Sequence, residues 1–226
     1  MHHLSTNSTY HQHLQVTQTI QRISQTDKSY PSHIQTYLKN DSPETIWTRG
    51  NIEILPNAGN TTETADLWAI FCSSKCPGEI ILNAHDLAHH FRNKGVSTVG
   101  GFHSPIEKEC LRVLLRGSQP IIICPARSIE NMRIKQEWKV PLSQDRFLIL
   151  STFHKASQQN ATMAGKRNHF VAALASKILI AHAAEDSKTL EFAQTLLKWG
   201  KPVYTFDSSY NKPLLQLGAQ RYQFGS

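Results

Sequence analysis

The chain predicts an α/β fold, a Rossmann-like and mostly parallel sheet of about six strands with helices on both faces, after a small N-terminal extension. Three observations carry that reading. Apolar runs recur at 67–72, 96–99, 120–124, 146–150, 178–182 and 202–206. They are continuous in Ile, Val and Leu rather than alternating, as expected of strands covered on both faces. The connections of roughly 15–30 residues are amphipathic and long enough for helical crossovers, giving a repeating βα unit.

The elements follow in order. Residues 1–28 are rich in Thr, Gln, Ser and His; Leu14, Val16, Ile20 and Ile23 support only a weak helix, and low order is expected. From Tyr30-Pro31 to Leu55 the chain is better organised. Ile34, Tyr37 and Leu38 stand at helical spacing, residues 45–48 read as a short strand, and Arg49-Gly50-Asn51 reads as a turn. Residues 57–64 read as a linker, which divides the chain into an extension (1–64) and a main domain (65–226). The first long helix covers 78–93, with Ile80, Ala84, Leu87, Ala88 and Phe91 inward and Gly95 as its stop. Ser104-Pro105-Ile106-Glu107 opens the second with an N-cap serine, a first-turn proline and a third-position glutamate. Further helices are expected over 162–176 and 187–199.

Composition narrows the partners. The 226 residues carry a net charge of +7. Residues 1–64 hold four Lys/Arg against five Asp/Glu and residues 65–226 hold 20 against 12, so −1 and +8 make up the total. The basic excess lies on the α/β part and suits a polyanion. No run approaches the ~20 apolar residues of a membrane span, and the polar N-terminus lacks a signal peptide's apolar core, so a cytoplasmic protein is expected. Cys72, Cys76, Cys110 and Cys124 suit buried thiols in a reduced compartment. Cys72-x3-Cys76 and His85-x3-His89 have metal-ligand spacing, but a strand end and a core-facing helix explain them as well, and no metal or cofactor is expected.

Open α/β sheets bind ligands where their strands end. Gly100-Gly101, between a strand and a capped helix, lets a phosphate approach backbone amides. The pair is not a dinucleotide fingerprint. Lys166-Arg167-Asn168 offers a point charge, a guanidinium fork and an amide. Arg127 and Lys75 follow two other strands, and Ser187-Lys188-Thr189 opens the last helix. Phe102 or His103 offers a ring for base stacking, with Ser104 closing the loop.

These blocks, from Tyr30-Pro31 to Phe206, resemble the bacterial DNA-processing protein A family (DprA, also called Smf). Ile46-Trp47 with Gly50-Asn51 is similar to its lead-in, and residues 69–75 to its apolar strand followed by Gly-Ser-Arg. Residues 100–107 take the place of its Ser-Gly-Leu-Ala-Arg-Gly-Ile-Asp motif, and Lys166-Arg167-Asn168 with Phe170 to Leu174 that of its Arg-Asn helix. Residues 187–189 and 200–204 match its closing helix and strand. This chain departs by having Ser104, Pro105 and Glu107 for the motif's Arg, Gly and Asp. Cys72 and Ser74 replace the first loop's Gly and Arg, and no winged-helix segment follows residue 206. The resemblance implies an extended Rossmann-like fold that binds single-stranded DNA without turnover, as a homodimer, and hands strands to a RecA-type recombinase. A nucleotide sensor or nucleotide-processing enzyme in the same crevice is the alternative. The related phosphoribohydrolases carry a glycine-rich stretch and a catalytic glutamate where this chain has residues 184–192, with Phe192 at the glutamate's place; Glu107 and Glu185 are the carboxylates left for such a role. A scaffold acting chiefly through dimerisation is a third reading.

Overall fold

A computed structural model describes residues 19–56, 66–155 and 160–224. Among the described residues nine strands form one sheet: β1 (Gln21–Ser24), β2 (Thr45–Gly50), β3 (Trp68–Phe71), β4 (Thr98–Gly100), β5 (Ile121–Ile123), β6 (Phe147–Ser151), β7 (Lys177–Ile180), β8 (Val203–Thr205) and β9 (Gln220–Arg221). Their order is β1-β2-β6-β5-β4-β3-β7-β8-β9. All pairings from β6 to β9 are parallel; β1 and β2 add antiparallel pairings at one edge. The chain runs outward from β3 to β6 and then returns to β7 on the other side of β3, so the topological switch lies between β3 and β7.

The helices are α1 (Ile34–Leu38), α2 (Gly78–Lys94), α3 (Pro105–Leu114), α4 (Gln136–Ser143), α5 (Ala161–Leu174), α6 (Lys188–Lys198) and α7 (Lys212–Gln216). The central strands are buried along their whole length, which is why their sequences do not alternate. Two apolar layers result. One packs α1, α5, α6 and α7 on one face through residues such as Ile34, Phe170, Leu196 and Leu214. The other packs α2, α3 and α4 on the opposite face through Leu87, Leu114 and Trp138.

Local signals explain most boundaries. The α2 stripe buries Ile80, Ala84, Leu87, Ala88 and Phe91, and Gly95 ends the helix in the left-handed region at φ 71°. The Ser104–Glu107 capping box is complete at the start of α3. Elsewhere the structure corrects expectation. Gln21–Ser24 is a strand rather than part of a weak helix, with Ile23 buried against β2. The lead-in strand β2 pairs with β6 and so extends the main sheet. Helix α4, with Pro141 inside it, is not among the expected elements, and α7 and β9 form beyond the last apolar run. The anchor of that last segment is Asn211, fully buried: its amide donates to the carbonyls of Ala181 (2.9 Å) and Phe206 (3.3 Å), and its oxygen meets His182 Nδ1 at 3.1 Å.

Candidate nucleic-acid interface

The loop after β4 is built around a carboxylate. Glu107 is buried; one of its oxygens accepts from Cys72 N–H (3.1 Å), and the other from His103 N–H (2.8 Å) and Ser104 N–H (3.4 Å). It thereby ties the end of β3 to the glycine loop and fills its acceptor sites with backbone. This corrects two expectations. The loop's amides at His103 and Ser104 already serve Glu107, so they are not open to a phosphate. Glu107 is likewise not a free acid or base for nucleotide chemistry.

The same loop places Phe102 in the left-handed region at φ 45°, which costs a non-glycine residue about 1–3 kcal/mol. Burial of its ring, 4% exposed, offsets that strain. The ring lies over Gly100, where an added Cβ would meet it at 3.1 Å. Phe102 is therefore core, and the expectation that it stacks on a base is withdrawn; His103, next to it, is exposed.

Gly101 also has a definite reason. A Cβ there would fall 1.4 Å from Arg167 Nη1, because the guanidinium occupies that space. Arg167 is 6% exposed and donates from Nη1 to the Cys124 carbonyl at 2.9 Å. Burial pulls its pKa below the ordinary guanidinium range, and the charge of Glu107 opposes the shift. Arg167 is thus not the free phosphate fork expected from sequence. It is a buried cation that pins β4, β5 and α5 together, with its remaining edge at the floor of a recess.

That recess, about 300 Å³, brings Gly101, Phe102, His103, Arg127 and Arg167 together at the carboxyl ends of β4 and β5. Lys108, Arg112 and Lys135 complete its cationic wall against one carboxylate, Glu137. Glu109 partners Arg112 and Glu137 lies 3.7 Å from Lys135, both at the surface, which leaves Lys108 and Arg127 as its least compensated charges. Sequence reading missed Lys108 and Arg112, although their i, i+4 spacing along α3 puts both on one face.

Lys166 does not join that recess. It lines a second one, about 520 Å³, on the other side of α5, where Tyr37, Phe153, His169 and Trp199 supply rings. Tyr37 and Trp199 are 5.5 Å apart between centroids, and His169 meets Trp199 at 5.7 Å. These aromatics come from α1, the exit of β6, α5 and the end of α6; no sequence spacing connects them. The far end of α5 is tied down by Lys201, whose ammonium donates to the carbonyls of Ala173 (3.0 Å) and Ala175 (2.5 Å) and sits 4.0 Å over Tyr37. Burial lowers its pKa to about 8.

The remaining expected residues line neither recess. Lys75 is exposed after β3, Lys188 is exposed at the start of α6, and Asn168 is half-buried beside Arg167. Ser187 caps α6 by accepting from Leu190 N–H at 3.2 Å, and Thr189 accepts from the Ser73 hydroxyl at 3.1 Å across the switch point. Phe192 packs edge-on against Phe71 at 5.0 Å. The cysteines are all free thiols; burial pushes those of Cys110 and Cys124 up to about 12. His85 and His89 face each other on the surface of α2 at 4.5 Å, and among the described residues no cluster of three or more His, Cys, Asp or Glu could hold a metal. Among the described residues no helix is long and apolar enough to cross a membrane.

Comparison with known proteins agrees with this architecture. The structure is similar to that of DNA processing protein A from Streptococcus pneumoniae, at 18% identity and a TM-score of 0.73, covering 94% of this chain and 74% of that one. It is also similar to DNA processing protein A from Helicobacter pylori, at 20% identity and a TM-score of 0.68, covering 90% and 91%. No curated protein sequence matches the chain. The model of the family described as DNA recombination-mediator protein A matches residues 21–223, and the chain belongs to that family.

Proposed function

We propose that this protein binds single-stranded DNA along the carboxyl edge of its sheet and acts in DNA processing and recombination without catalytic turnover. The observation that carries the reading is the division of labour about α5: a recess walled by Arg127, Lys108 and Lys135 on one side, and Lys166 among aromatic rings on the other. Cations take phosphates and rings take bases, which is the combination single strands require and duplexes do not. Family membership supports the same reading, and the similar Helicobacter pylori protein has a described single-stranded DNA binding mode. The engagement of Glu107 with three backbone amides argues against hydrolysis in this crevice. A cytoplasmic homodimer that hands its strand to a RecA-type recombinase is the finer form of the proposal.

The test is a titration of labelled oligo-dT, the matching duplex and a panel of mononucleotides at two salt concentrations. The proposal expects strand binding that falls steeply with salt and weakens in Lys166→Ala and Arg127→Ala. Tight mononucleotide binding with indifference to the oligonucleotide would favour a nucleotide sensor instead. Light scattering gives the oligomeric state, and pull-down with a RecA-type recombinase tests the handover.

A further inference from the structure

The carboxyl edge does not stop at β6. Arg22 of β1 stands opposite Trp47 of β2, and Trp47 opposite Ser151 at the end of β6, so one row of residues carries that edge across the antiparallel strands. Trp47 is half-buried, and the imidazole of His154, exposed just after β6, lies on its indole at 4.9 Å with 16° between the planes. A recess of about 270 Å³ opens beside this pair, with Arg22 at its rim and Ser128 and Glu130 on the facing loop. That loop is the one bearing Arg127, and the Ser151 hydroxyl fixes it by donating to the Arg127 carbonyl at 2.7 Å. Trp47 packs on the apolar layer of α2, α3 and α4, the layer that also contributes Trp138 and Met132 to the basic recess. The two recesses therefore flank one anchored loop on one face of the sheet.

We propose that the recess at the Trp47–His154 pair is a further nucleobase subsite for the single strand, outside the two recesses flanking α5. The inference rests on the strand-binding function proposed above. Its chemistry suits a base rather than a phosphate. The parallel rings offer a π surface, and the Glu130 carboxylate repels phosphate but accepts from an exocyclic amine. Arg22, exposed and directly across the ladder from Trp47, is placed to meet the adjoining phosphate.

The experiment compares affinities for labelled oligonucleotides from about 4 to about 30 nucleotides in wild type, Trp47→Leu, His154→Ala and Arg22→Ala. Leucine retains apolar bulk at Trp47, and His154 is exposed, so His154→Ala keeps the test valid if Trp47→Leu folds poorly. The expected result is roughly a tenfold loss for long strands in Trp47→Leu, a smaller loss in His154→Ala, and no change for the shortest strands. The salt slope stays at the wild-type value in both and falls by about 0.7 in Arg22→Ala. Wild-type affinity at every length in Trp47→Leu and His154→Ala overturns the subsite alone. Failure of the wild-type protein itself to bind any strand overturns the proposed function and the subsite together.

Discussion

Lys166 and Arg167 are adjacent in sequence and opposite in fate. Successive helical positions do not face the same way, so α5 presents Lys166 to an aromatic recess and buries Arg167 against Gly101 and Cys124. One is an exposed charge free to exchange water for phosphate; the other is a fixed charge that shapes the loop on which the first recess depends. A basic pair in such a helix is therefore two devices, and its members have to be separated experimentally.

The largest expected effect falls on the buried member. Arg167→Ala leaves the Cys124 carbonyl and the Glu107 charge without their cation, and thermal unfolding should show a loss of about 3–5 kcal/mol. Lys166→Ala should leave stability within about 0.5 kcal/mol of wild type. Equal losses in the two variants would break the comparison. Glu107→Gln sharpens it from the other side. An amide NH₂ would face backbone N–H groups, and the charge opposite Arg167 would vanish, so a loss of about 1–3 kcal/mol is expected in denaturant unfolding. Gly101→Ala should approach the same range, because its Cβ would evict the guanidinium.

For strand binding the order reverses. Lys166→Ala should weaken affinity roughly fivefold and reduce the log–log salt slope by about 0.7 at unchanged melting temperature. At the far end of α5 the expected effect is one of pH. Burial lowers the Lys201 pKa to about 8 from 10.5. Below pH 8 both states hold the proton and stability is flat. Between about 8 and 10.5 the unfolded chain holds a proton that the folded one has lost, so this group's contribution rises with pH. Wild type should gain stability over Lys201→Met across that window. The buried thiols act in the opposite direction, but equally in both proteins.

The difference between these two positions also marks what sequence could reveal. Hydrophobic rhythm and capping chemistry are local, so the parallel strands, α2 and the Ser104–Glu107 box were legible. The four-residue β1, whose stability comes from its partner β2, was not, nor was α4 with its internal Pro141. At the site, sequence reading found residues that the structure gathers round one recess, Gly101, His103, Arg127 and Arg167. It mistook the work of some of them, because a capping glutamate that also reaches Cys72 and an arginine that fills a glycine's empty space are decided in three dimensions. The ring cluster of Tyr37, Phe153, His169 and Trp199 left no trace in spacing, since four separate elements supply it.

The most direct measurement is photo-cross-linking of an iodouracil-substituted single strand, with adducts mapped by mass spectrometry. Adducts on Tyr37, Phe153 or Trp199 are expected, in the recess beside Lys166. Adducts confined to Trp68, Tyr204 and Tyr222, which cluster around the starts of β3 and β7, would contradict the account.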